Sequence, residues 1–245
     1  MSRLSPSVRA FRRWAQLGLP VALALSAACG GPPASSSAGG SLTAASPGPE
    51  STATTTSTTQ PGSPAAGDPT TVLVGLRVAP EGPRTGYQRE LFRHWVDADR
   101  DGCDTREEVL MAESRSPAQL DPYGCKVVEG DWYSLYDGLT FTDPSELEID
   151  HMVPLAEAWD SGASAWDANR RQAFANDLDR PQTLRAVSAS ANRSKGDLDP
   201  GQWKPTRDAA WCEYANDWVA VKKAWDLTAD QNEVDDLRVM LRTCA

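Results

Sequence analysis

Leu147-Glu-Ile-Asp-His-Met-Val-Pro154 sets an acid beside one of only two histidines in the chain, at the point where an apolar segment runs into a proline. A histidine takes a proton near neutral pH and an adjacent carboxylate holds a hard cation, so Asp150 and His151 supply two parts of a metal-assisted hydrolytic site. Alone, an Asp-His dipeptide is commonplace on surfaces and strand ends. The weight comes from residues 183–196, TLRAVSASANRSKG, a β-compatible run leading into a short Ser- and Ala-rich helix. Strand, loop, strand, helix is the order implied. Asn192 and Lys195 stand three apart and share a helical face, from which one can ligate a metal and the other approach a phosphate.

These stretches resemble the HNH nucleases, whose ββα-metal motif carries an Asp-His pair on its first strand and a metal-ligating His or Asn on its helix. The closer likeness is to the secreted actinobacterial branch related to the C-terminal domain of GmrSD-type restriction enzymes. It is carried by residues 87–110 (YQRELFRHWVDADRDGCDTREEVL), 148–166 (EIDHMVPLAEAWDSGASAW), 174–178 (FANDL) and 184–203 (LRAVSASANRSKGDLDPGQW), and with the Cys-bearing tail it covers nearly everything after residue 85.

The resemblance implies an α+β fold, a mainly helical single domain around a ββα-metal motif at about residues 145–196. It also implies an endonuclease hydrolysing phosphodiester bonds in nucleic acid, with DNA the expected substrate. In that reading Asp150 and Asn192 hold one divalent cation, and all-oxygen ligation favours magnesium or manganese over zinc or copper. His151 is the general base, and Lys195 or Arg193 holds the flanking phosphate. Where the family usually has an asparagine before the second-strand leucine, this chain has Thr183; the family residue is thought to brace the loop and orient the histidine.

Residues 1–28 have a basic start (Arg3, Arg9, Arg12, Arg13) and an apolar stretch too short to span a bilayer, which fits an export signal. Ser26-Ala-Ala-Cys29 looks like a lipobox, giving a surface lipoprotein held to the membrane by lipid on Cys29; plain cleavage after Ala28 gives a secreted protein. Both place the chain outside the cytoplasm. Residues 29–69 are Gly, Pro, Ser, Thr and Ala with almost no large apolar side chain, a composition that predicts a flexible tether. Residues 70–245 are ample for one cored domain.

The other four cysteines, Cys103, Cys125, Cys212 and Cys244, are even in number in an oxidising compartment. Three pairings are possible; Cys103 with Cys125 and Cys212 with Cys244 is favoured because each pair closes one local segment. None has the spacing of a zinc ribbon. Residues 87–96 read as an amphipathic helix, and His94 within that aromatic run reads as a packing residue. Residues 97–108 formally match an EF-hand calcium loop with oxygens at Asp97, Asp99, Asp101, Thr105 and Glu108; an acidic, disulfide-tied turn before a helix over 105–113 fits as well. Trp211, Tyr214, Trp218, Val221 and Trp225 recur at helical steps and predict a core stripe rather than a base-stacking platform. A last helix over 229–241 turns Val234, Leu237 and Leu241 inward.

A formal charge of −10 argues against an extensive clamp on phosphates, although residues 180–207 hold Arg180, Arg185, Arg193, Lys195, Lys204 and Arg207 against Asp197 and Asp199. No protein partner is expected. The opposing hypothesis is a non-catalytic surface lipoprotein that uses the same scaffold for binding, with the acidic loop as a calcium-dependent contact surface. Asp150, His151, Asn192 and Lys195 together favour the enzyme.

Overall fold

The computed structural model describes residues 67–244; the export signal, Cys29 and nearly all of the tether lie outside them. Along the chain run β1 (Arg77–Val78), α1 (Thr105–Glu113), β2 (Gln119–Leu120), β3 (Val127–Glu129), β4 (Trp132–Tyr133), β5 (Thr140–Phe141), β6 (Leu147–His151), α2 (Leu155–Asp160), α3 (Ala168–Ala175), β7 (Leu184–Ser188), α4 (Ala189–Lys195), α5 (Trp211–Ala224), β8 (Thr228–Ala229) and α6 (Gln231–Leu241). The architecture is α+β. Among the described residues no helix is long and apolar enough to cross a membrane.

β6 is the first strand expected at the Asp-His stretch, and Pro144–Glu146 ahead of it forms a 3-10 turn capped by Asp143. It pairs antiparallel with β7 in a register that sets Asp150 opposite Arg185 and His151 opposite Leu184. Leu147 and Ile149 bury one face of this ribbon against Val109 and Leu110 of α1 and against Trp132, whose indole donates to the Leu110 carbonyl at 2.8 Å. The chain then turns from β7 directly into α4, with the Ser188 hydroxyl accepting from the Ala191 amide as its N-cap.

The larger core lies between α2, α3, α5 and α6. Tyr214, Trp218 and Val221 are buried at helical spacing along α5, with Trp211 and Trp225 partly buried, and Val234, Leu237 and Leu241 face them from α6. The burial reading of the tryptophan series therefore holds. Inside this core the Lys222 ammonium bonds Glu157 at 2.6 Å, Glu233 at 2.8 Å and the Thr228 carbonyl, tying three helices together. The disulfides are Cys103–Cys125 and Cys212–Cys244, as locality favoured.

One expected helix is missing. Residues 87–96 form only the 3-10 turn Arg89–Leu91 and then an irregular run in which Trp95 takes a left-handed φ of 56°. Asn176 explains the difference: its amide donates to the Arg93 carbonyl and its Oδ1 accepts from the Val96 amide, occupying backbone groups that a helix would pair internally.

Candidate functional site

Asp150, His151, Asn192 and Arg193 all line one cavity of about 190 Å³ between β6 and α4, with Arg89, Glu148, Pro154, Leu155 and Asp197 completing its wall. An ideal strand would send Asp150 and His151 to opposite faces. The strand ends at His151, and both reach the same space.

The His151 ring is almost fully buried. It lies near-parallel to Trp95 on one hand and Phe174 on the other, with centroids 5.6 and 6.3 Å away. Its Nε2 is 3.0 Å from the Ala175 carbonyl. A carbonyl can only accept, so this nitrogen carries the hydrogen and Nδ1 keeps its lone pair. Burial lowers the pKa of the ring to about 3, with Arg89, His94 and Lys195 pushing the same way and the Ala175 carbonyl opposing. The ring is neutral at physiological pH. His94 sits beside it with centroids 6.5 Å apart, but its Nδ1 is engaged by the Phe92 carbonyl, in keeping with a packing residue.

Asp150 is held from two sides: the Tyr136 hydroxyl donates to Oδ2 at 2.5 Å and the Lys195 ammonium lies 2.9 Å from each oxygen. Burial pushes the carboxyl up and the ammonium down, while each favours the charged form of the other. A carboxylate has about four acceptor positions, and three are used here. Tyr136 had no signal in the sequence, since it belongs to no recognised spacing and only the fold brings it under β6.

Lys195 departs from expectation. It is fully buried, donates also to the His151 carbonyl at 3.0 Å, and does not line the cavity, so it cannot approach a phosphate there. The helical face it shares with Asn192 rests on the strand: Asn192 reaches the strand's outer carboxylate while Lys195 passes beneath it. Arg193 does reach the cavity. Glu148 organises this edge, accepting from Asn192 Nδ2 at 2.8 Å and from Arg193 at 2.6 and 2.9 Å. Because Glu148 takes the amide nitrogen, Asn192 presents its oxygen, Oδ1, which makes no hydrogen bond to the described residues. That oxygen and the Asp150 carboxylate are hard donors on one cavity wall, a set that suits a divalent cation such as magnesium or manganese.

Thr183 is buried and braces the loop by another route, its hydroxyl donating to Asp177 at 3.0 Å and its carbonyl accepting the Met152 amide. The basic segment is largely answered by carboxylates: Arg180 by Asp177, Arg185 by Glu213 and Asp217, Lys204 by Asp236. It is not a free cationic surface. In the acidic loop, the carboxylates of Asp97, Asp99 and Asp101 converge to within 4.8 Å, and Glu108 is raised by burial and by all three of them. Thr105 is turned away, its hydroxyl donating to the Val96 carbonyl and to Asn176, so a fifth oxygen from that side chain is not offered.

Residues 106–240 match the family described as GmrSD restriction endonucleases, C-terminal domain. A protein of Arthroderma benhamiae named "Uncharacterized secreted protein" is 43% identical over 186 residues, covering 76% of this chain and 89% of that one. No solved structure gives a significant match. Neither match narrows the likeness to an actinobacterial branch. With more than half of its length inside the family model, the chain belongs to the family of the GmrSD restriction endonuclease C-terminal domain.

Proposed function

We propose that β6, β7 and α4 form a ββα-metal motif and that the protein is a metal-dependent endonuclease acting on nucleic acid, with DNA the expected substrate. The observation that carries this reading is the state of His151: with Nε2–H committed to the Ala175 carbonyl, Nδ1 is a free base on the wall that also bears Asp150 and Asn192 Oδ1. His151 Nδ1 removes the proton of a water attacking phosphorus. Arg193 meets a flanking phosphate and Glu148 keeps both Arg193 and Asn192 aimed. Lys195 and Tyr136 hold Asp150 in its charged, oriented form. A divalent cation bound by Asp150 and Asn192 would supply positive charge to the phosphate oxygens and the departing 3′ oxygen.

The Arthroderma relative named as secreted and the two disulfides support a place outside the cytoplasm, as a secreted protein or one anchored by lipid on Cys29. The test is plasmid cleavage by the purified protein with magnesium, manganese, calcium or chelator. Nicking should depend on magnesium or manganese and fall by at least about 10³-fold in His151→Ala. Convergence of Asp97, Asp99 and Asp101 supports a second reading, a calcium-dependent binding module. That reading predicts a gain in thermal stability with calcium and no cleavage under any metal.

A further inference from the structure

Two guanidinium groups line the cavity that holds His151, and they are in opposite states. Arg193 is answered by Glu148 through two hydrogen bonds. Arg89 is solvent-exposed and makes no hydrogen bond or ion pair with any described side chain, although it lines the same cavity as Asp150 and His151. Arg84, Arg180, Arg185 and Lys204 have carboxylate partners; Arg93 is exposed and without one among the described residues, like Arg89, but it does not line the cavity. The turn beneath Arg89 is also firm. Phe92, fully buried, packs edge-on against Trp159 and Phe174, and Tyr87 closes on Phe92 and Trp159 from the other side. Phe174 in turn stacks on the His151 ring, so the base and the turn carrying the free cation rest on one aromatic side chain.

We propose that Arg89 is a catalytic residue that grips a non-bridging oxygen of the phosphodiester in this cavity, the role that the sequence pattern suggests for Lys195. The proposal rests on the nuclease reading above. A guanidinium offers a planar fork that fits two phosphate oxygens, and one left unpaired has no internal carboxylate to displace before it binds. Negative charge on those oxygens grows as water adds to phosphorus, so the contact strengthens along the reaction and acts on kcat as well as on KM.

The experiment compares magnesium-supported plasmid nicking by wild type, Arg89→Ala, Arg89→Lys and Arg93→Ala, the last an exposed arginine outside the cavity wall. A second arm titrates a labelled oligonucleotide against salt in the His151→Ala background, with and without Arg89→Ala. Arg89→Ala should lower kcat/KM about 100-fold with an unchanged melting temperature, Arg89→Lys should recover part of the loss, and Arg93→Ala should stay within about twofold. Loss of one phosphate contact should reduce the slope of log affinity against log salt by about 0.7–0.9. Cleavage by Arg89→Ala within about threefold of wild type, with the same salt slope, overturns the assignment while leaving the nuclease standing. A wild-type protein that cleaves nothing overturns both.

Discussion

Lys195 shows how one side chain can be read in two ways that predict different measurements. As an exposed phosphate contact its removal would spare the fold. Buried against Asp150 and the His151 carbonyl, it neutralises a carboxylate that is itself nearly buried. Removing one partner of a buried pair strands the other, so Lys195→Ala should cost about 3 kcal/mol or more in urea unfolding. Arg193→Ala, whose side chain is 75% exposed, should cost less than about 1 kcal/mol. If both variants unfold at the wild-type midpoint, Lys195 does not support the site as described. Sequence spacing brought Asp150, His151, Asn192 and Arg193 to one cavity because they are local to two strands and a helix. It said nothing of Tyr136, Ala175 or Trp95, whose contacts with the site are made by chain distant in sequence.

At the scale of elements, the 3.6-residue periodicity of α5 and α6 and the span of α1 were legible, because burial and helix formation act within one element. The irregular run after Arg89 was not, because Asn176 reaches it from α3. Glu113, at the end of α1, is another such tertiary tie. It accepts the outward Ala186 amide of β7 at 2.8 Å and so covers the ribbon's edge. Burial raises its carboxyl to about 7 against the opposing pull of that amide and of Arg185. Its unfolded value is about 4.3, so the folded chain holds a proton that the unfolded chain releases over this range. The stability it contributes is fully present below about pH 4.3 and lost as pH rises through about 7. Urea unfolding of Glu113→Gln, which still accepts from Ala186, should show a shallower loss between these pH values, by on the order of 2–3 kcal/mol. An unchanged pH profile would mean that Glu113 ionises freely.

For the whole molecule, the two disulfides add covalent ties to regions that hydrogen bonds already join. Cys103–Cys125 ties the acidic loop to the chain before β3, and Cys212–Cys244 joins α5 to the end of α6. Serine at Cys212 and Cys244 together should cost about 3 kcal/mol in the chain-entropy account, read as a lower denaturation midpoint with unchanged cavity residues. A midpoint equal to wild type would place the hold of α6 wholly in its packing.

The carboxylate partners of Arg180, Arg185, Arg193 and Lys204 have a kinetic meaning as well. A surface whose cations are already satisfied takes few condensed counterions off a polyanion, and so gains little entropy by holding it. Such a surface lets a strand go as readily as it meets one. On the nuclease reading proposed above, the expected outcome is distributive action, single cuts scattered over many strands rather than one followed to its end.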